Sequence, residues 1–421
     1  MKKFGVCVES EIGELEGVIL HRPGREVENM TPGHVERALY SDILNLAVVL
    51  PEYSQLQGVL EKITRTFFVR DLLTEVLADK DVKENLLQKI CSNEKICNIM
   101  DELRGYTPDD LAAHLIEGVV MKKDTLSRFL SKEYYALQPL HNFFFTRDAA
   151  ISMKDRVLIG KMAGQVRERE TLIMETIFES HPLFRVKTVN PLNDSANGAE
   201  GIVIEGGDVL VAREDVLLIG MGARTTAAGI DFLIDHFNSC KVSKHIVVQE
   251  LPHNPESFIH LDMVFTFLDR DKCMVFEPIT RMNNHYRTIH VFLKNGKVSS
   301  IKEEKSILDI LKKLGFDLEP VYCGGTVDSW YQEREQWHSG ANFFAVGPGK
   351  VIGYGRNVHT ISELDKHGFA VLDARQIIKG KVDINDYKKY VITIHGAELS
   401  RGGGGCRCMT MPVKRKPAYL S

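Results

Sequence analysis

No stretch of this 421-residue chain approaches the ~20 apolar residues that a membrane span requires, although 44% of its residues are hydrophobic. The opening MKKFGVCVESEIGELEG has two lysines but no unbroken apolar run behind them, which excludes a secretory-signal reading. Charge of one sign is not in surplus. The formal net charge is −4 and no large basic block occurs, so nucleic acid is not an expected partner. Lys414, Arg415 and Lys416 make a short basic run that reads as a solvated tail. The eight cysteines are scattered and no CxxC occurs, which suggests neither a disulfide framework nor a zinc site and points to a reducing cytoplasm. No G-x-G-x-x-G follows a strand, which argues against a dinucleotide fold.

What the chain does have is a glycine run near its end. Residues 398–412 read ELSRGGGGCRCMTMP, with Gly402 to Gly405 leading into Cys406, Arg407 and Cys408. Glycine gives up conformational entropy and packing, so four in a row predict a loop that must bend or move. A thiol at the end of such a loop is a candidate nucleophile; the competing reading is a flexible tail that carries two cysteines. Neighbours this close make a strained disulfide.

Length alone permits about two or three domains at ~150 residues each. Residues 17–21 read as a strand stopped by Pro23-Gly24, residues 42–63 as a helix and 66–69 as a strand. Between 71 and 130 apolar residues recur at three and four, as in Leu72, Leu73, Val76 and Leu77, and Thr107-Pro108 starts a helix. This is a helical insert without a chemical motif. After Pro139 a strand, turn, strand, helix, strand pattern repeats. The first round has strands at 143–145, 150–153, 157–159 and 185–189, with a helix at 168–180. Later rounds begin at 202, 263 and 342, and the last closes on a strand at 370–372. With the N-terminal segment, about five ββαβ units result, and repeated units are buried by stacking, radial repetition included. The expected body, residues 1–70 and 131–421, is therefore an α/β propeller carrying the 71–130 insert.

Each round opens on polar residues: Asn142 and Phe145-Thr146-Arg147-Asp148, then Glu205-Gly206-Gly207-Asp208 with Arg224 at a helix start, then His260-Leu261-Asp262. Singly these read as a surface ion pair, a tight turn, a satisfied histidine or a helix cap. Pseudo-symmetry gathers them. Carboxylates around a His–Cys pair suit a planar cation such as guanidinium, a thiol beside positive charge becomes a thiolate, and arginines bind a carboxylate at the far end. A molecule with both ends is arginine.

The chain resembles the arginine deiminase family, within the guanidino-group-modifying superfamily, over almost its whole length. The matching stretches are SEIGELEGVILHRPG (10–24), NFFFTRD (142–148), IEGGDVLV (204–211), GMGARTT (220–226), HLDMVFTFLD (260–269), REQWHSGAN (334–342) and CRCMTMP (406–412). The resemblance implies a fivefold pseudo-symmetric α/β propeller with an inserted helical domain. It implies hydrolysis of L-arginine to L-citrulline and ammonia, without cofactor or metal, in a homo-oligomer. It also implies Cys408, not Cys406, as nucleophile and His260 as general acid/base. Asp148 and Asp262 would grip the guanidinium with Glu205 beside it, Arg167 and Arg224 would hold the carboxylate, and Asn142 and Phe145 would line the site. One departure concerns the mobile loop, where the family has an arginine five residues before the nucleophile and this chain has Gly403; Arg401 and Arg407 are the nearby replacements. Cys406 and His338 also depart from the pattern, and Cys406 could compete with Cys408 or pair with it on oxidation. The rivals are an amidinotransferase, a dimethylarginine hydrolase, and an arginine-binding regulator without turnover. An arginase is disfavoured because no Asp-x-His-x-Asp motif is present.

Overall fold

A computed structural model describes residues 3–32, 42–195, 198–280 and 285–419. The fold is mixed α/β, and the same short topology recurs. In each of three sheets an antiparallel pair is followed by a helix and a strand that returns parallel to the second of the pair. Ala150–Met153 and Arg156–Ile159 are followed by the helix Glu168–Ser180 and the strand Thr188–Val189. Val209–Arg213 and Val216–Met221 are followed by Ala227–Ser239 and Lys244–Glu250. Phe265–Phe267 and Lys272–Val275 are followed by Ile307–Lys313 and Glu319–Tyr322. The hairpin Thr288–Leu293 with Val298–Glu304 extends the second of these sheets.

The two chain ends build another sheet together. Met411–Arg415 pairs antiparallel with Leu15–Leu20, which pairs parallel with Arg65–Phe68 after the helix Leu46–Ile63. The basic run at 414–416 is therefore no solvated tail. Arg415 is buried, and its guanidinium donates to the carbonyls of Gly13 and Ala345 at 2.7 Å each, while Lys416 stays exposed.

Three strand expectations change. Residues 143–145 form turns, with the Phe143 and Phe145 N–H groups donating to Leu140 and Asn142; three buried aromatics in a row mimic a strand in composition. Residues 202–205 contribute a single bridge, Lys161 to Ile204. In the sheet of Phe344–Gly347 and Lys350–Tyr354, the neighbour of the hairpin is Tyr390–Ile394, and Ala370–Asp373 takes the edge beyond it.

Residues 71–130 are mainly helical. Thr107 caps Pro108–Glu117 by accepting from the Asp110 N–H, with the proline at the first turn where its missing donor costs nothing. Leu72, Leu87, Leu103, Leu111 and Leu115 share one core with Ile173, Ile177 and Phe178 of Glu168–Ser180. Among the described residues no helix is long and apolar enough to cross a membrane. Cys91 is disulfide-bonded, a bond the scattered cysteines did not announce, while Cys7, Cys240, Cys273, Cys323, Cys406 and Cys408 are free.

Candidate active site

The segments just ahead of the first strand in successive sheets converge. Asp148 precedes Ala150–Met153, Glu205 and Asp208 precede Val209–Arg213, and His260 and Asp262 precede Phe265–Phe267. Asn342 precedes Phe344–Gly347, and Cys408 precedes Met411–Arg415. Asp208 stitches two of these segments and the start of the helix Ala227–Ser239 together: its carboxylate accepts from the Leu261 N–H at 2.9 Å and from the Thr225 hydroxyl at 2.7 Å.

A cleft of about 240 Å³ opens here. Of the residues expected in the site, Asn142, Phe145, Asp148, Arg167, Arg224, His260, Arg401 and Cys408 line it, as does His338. Glu205 and Asp262 are fully buried and lie one layer behind. Glu205 Oε2 sits 3.0 Å from His260 Nε2, and Glu205 Oε1 accepts from the Ala163 N–H at 2.9 Å. Asp262 Oδ2 accepts from Arg407 at 2.8 Å and lies 3.7 Å from Cys408 Sγ.

Burial alone would lower the His260 pKa, but Asp148, Glu205 and Asp208 outweigh it and raise it to about 9. Its imidazolium in turn holds Glu205 below the usual carboxylate range against the effect of burial. His260 Nδ1 faces Asp148 Oδ1 at 3.8 Å, too far for a hydrogen bond. Burial, then the charges of Asp262 and Asp148, push the Cys408 thiol well up. Burial does the same to Cys406, which lines no part of the cleft and belongs to the apolar core. Of the two thiols, only Cys408 lines the cleft.

Arg167 is already engaged: it donates to Glu170 at 2.8 Å, to Asp148 at 2.7 Å and to the Asn142 carbonyl at 3.5 Å. Arg224 approaches Glu205 only to 3.6 Å. Arg407, one candidate for the missing loop arginine, is locked away from the cleft on Glu11, Asp262 and the Val209 carbonyl. Arg401 does reach the cleft, donating to Asp42 and Glu398 at 2.9 Å each.

The glycine loop is anchored at its base. The Glu52 carboxylate accepts from the N–H groups of Ala397, Glu398 and Leu399 at 2.8, 3.0 and 2.9 Å, and the Tyr354 hydroxyl donates to Gly404 at 2.9 Å. Gly403 has φ +82°, a left-handed conformation in which an arginine would be strained. Of the two nearby arginines, Arg401 lines the cleft and Arg407 does not. Sequence reasoning missed Asp208, Glu170, Asn342 and Glu52 as site-building residues. The first was visible in the GGD turn, the second lies one helical turn from Arg167, and Asn342 occupies the same pre-strand place as Asp148 and Asp262. Glu52 left no sequence signal, because it lies in a helix and only the fold brings it under the loop.

Relatives point the same way. A profile of the arginine deiminase family matches residues 36–415. An arginine deiminase of Bacillus cereus is 32% identical over 433 aligned residues, covering 98% of this chain and 99% of the relative. One from Borrelia garinii is 34% identical over 432, covering 98% of both. The fold is similar to the N-terminal domain of ArgZ, an arginine dihydrolase of the cyanobacterial ornithine-ammonia cycle, with a TM-score of 0.54 at 12% identity, over 96% of this chain and 99% of that one. The matches run nearly end to end and so span every pre-strand segment together with the frame that gathers them, and the chain belongs to the arginine deiminase family.

Proposed function

We propose that this chain hydrolyses L-arginine to L-citrulline and ammonia through a covalent Cys408 amidino intermediate. One observation carries the reading. Asp148 Oδ1, Asp262 Oδ1 and His260 Nδ1 are buried with no hydrogen-bond partner, around a buried thiol. Unpaired buried oxygens of this kind are costly unless a ligand supplies donors, and a guanidinium supplies several in a plane. Its positive charge also offsets the two carboxylates that keep the thiol protonated, so substrate entry favours loss of the thiol proton to solvent.

The sulfur then attacks the guanidinium carbon, and the C–N π electrons move onto nitrogen. His260 gives its proton to one amino group, which leaves as ammonia and takes the C–N bonding pair. An amidino-thioether remains. Neutral His260 next takes a proton from water, the hydroxide adds to carbon, and the C–S pair returns to sulfur. The remaining proton leaves with ammonia as ammonium. Arg224, Arg401 and the last free N–H of Arg167 hold the substrate carboxylate, with Asn142 and Phe145 forming the wall.

The test is stoichiometry. Citrulline and ammonia are expected in equal amounts from arginine with no acceptor amine present; an absolute requirement for an acceptor makes the enzyme an amidinotransferase instead. Because His260 must carry a proton to expel ammonia, turnover is expected to fall as pH rises through about 9. Glu205→Gln removes a hydrogen bond and a charge that favour the imidazolium, so the alkaline limb of kcat should move about one unit toward acid. An unmoved limb separates Glu205 from the acid. Arg401→Ala should raise KM for arginine about tenfold with kcat little changed, as for binding shared by ground and transition states; an unchanged KM removes Arg401 from the substrate.

We also read the repeated sheets as blades of a fivefold propeller of residues 1–70 and 131–421, with 71–130 inserted. The recurring antiparallel-then-parallel order and the shared pre-strand origin of the site residues support this. Self-association is supported by Leu126, Phe129 and Leu130, exposed side by side on one short helix of the insert. The cytoplasmic setting rests on the six free cysteines and is opposed by the bond at Cys91.

A further inference from the structure

A side-chain N–H of Asn342, which the proposed chemistry has not used, lies against the proposed nucleophile. Asn342 is buried, and its Nδ2 lies 3.2 Å from Cys408 Sγ and 3.2 Å from the carbonyl of Asp262. Its Oδ1 accepts from the Arg407 N–H at 2.9 Å and from the Cys408 N–H at 3.3 Å. Two backbone donors on one side and a carbonyl on the other fix which end of the amide is nitrogen. The donor end therefore faces the sulfur. Gly405 lets the amide this close, since a Cβ there would meet Asn342 Oδ1 at 2.6 Å.

Burial and the charges of Asp262 and Asp148 disfavour negative charge on the sulfur and outweigh the Gly405 backbone and Arg407, which favour it. Asp262 Oδ2 lies 3.7 Å away, and Cys408 is buried at the floor of the cleft. Asn342 contributes the one side-chain N–H directed at this sulfur among the described residues. Resting on the reading of Cys408 as nucleophile, we propose that Asn342 is a thiolate-holding residue. Its Nδ2 donates to the sulfur as charge builds there, while its Oδ1 pins the Arg407 and Cys408 backbone so that the sulfur stays aimed into the cleft. The donor also serves the return step, when the C–S pair comes back to sulfur. A hydrogen bond to a charged acceptor is of the size that shifts a thiol by about one to two pH units.

The experiment is the pH dependence of iodoacetamide alkylation at Cys408, located by mass spectrometry, alongside kcat and KM for arginine. Wild type, Asn342→Leu and Asn342→Asp are compared; the first removes donor and acceptor without adding charge, and the second keeps the acceptor while putting a carboxylate oxygen in place of the donor. In both variants the alkylation midpoint is expected to rise about one to two pH units, with kcat down about 10- to 100-fold and KM within about threefold. Arginine binding measured in a Cys408→Ala background should stay within about threefold when Asn342 is changed. An unmoved midpoint overturns the inference, and so does loss of turnover together with loss of arginine binding or of fold in both variants, since Asn342 is then structural. If alkylated Cys408 still turns over in the wild type, the nucleophile assignment fails first, and this inference with it.

Discussion

Cys408→Ala is expected to lower citrulline formation by about 10⁴- to 10⁶-fold, the range seen when a nucleophile is removed from a catalytic unit. His260→Ala should cost nearly as much, and the double variant little more than either, because the two groups act on one covalent cycle. The control is Cys406→Ala. Its thiol is fully buried in the apolar core and lines no part of the cleft, so turnover should persist while stability falls by about 1 kcal/mol. Rates of citrulline formation for the four variants decide the matter. Activity that survives Cys408→Ala and disappears in Cys406→Ala would overturn the assignment. Oxidation of Cys406 is not expected to regulate the enzyme directly, since a buried thiol with a raised pKa is a poor nucleophile.

The second large effect is on stability. Arg407 sits between Glu11 and Asp262, donating to them at 3.0 and 2.8 Å, and all three are buried. Arg407→Ala leaves two carboxylates in the interior without their cation, a change of about 3–5 kcal/mol in unfolding free energy. Chemical denaturation at neutral pH should show it as a lower midpoint; an unshifted midpoint means the carboxylates find another partner, such as Arg147 or Arg415. The acid response has a definite sign. Burial raises the Glu11 carboxyl, but Arg407, Arg147 and Arg415 outweigh it and hold it at about 2 in the folded chain, against an ordinary 4.5. A depressed folded pKa contributes stability above the ordinary value, and that stability is lost as pH falls from about 4.5 toward about 2. Removing Arg407 should erase this part of the acid dependence.

Arg407 also shows where reading by spacing stops. In the sequence it stands beside the proposed nucleophile and competes with Arg401 for the place left by Gly403. In the fold its guanidinium lies behind the cleft, on Glu11 and on the same Asp262 oxygen that Cys408 Sγ approaches at 3.7 Å, and only Cys408 lines the cleft. Neighbours in sequence need not share a destination.

Legible in the sequence were the repeating strand and helix pattern, the helical character of residues 71–130, and the residue types of the proposed cysteine–histidine–carboxylate chemistry. Each of these is local: periodicity reports which face is buried, and residue type reports which charge or nucleophile is available. The tertiary structure alone decided that Glu205 and Asp262 stand behind the cleft, that Cys406 belongs to the core, and that Arg401 takes the mouth of the site. It also decided that Asn342, unremarkable in a motif, lies against the sulfur. These depend on which way a side chain turns when segments far apart in the chain pack together, and burial, electrostatics and hydrogen bonding across that packing are non-local. For the glycine loop, Glu52, more than 340 residues upstream of Ala397, fixes where the loop begins, and so where Cys408 ends.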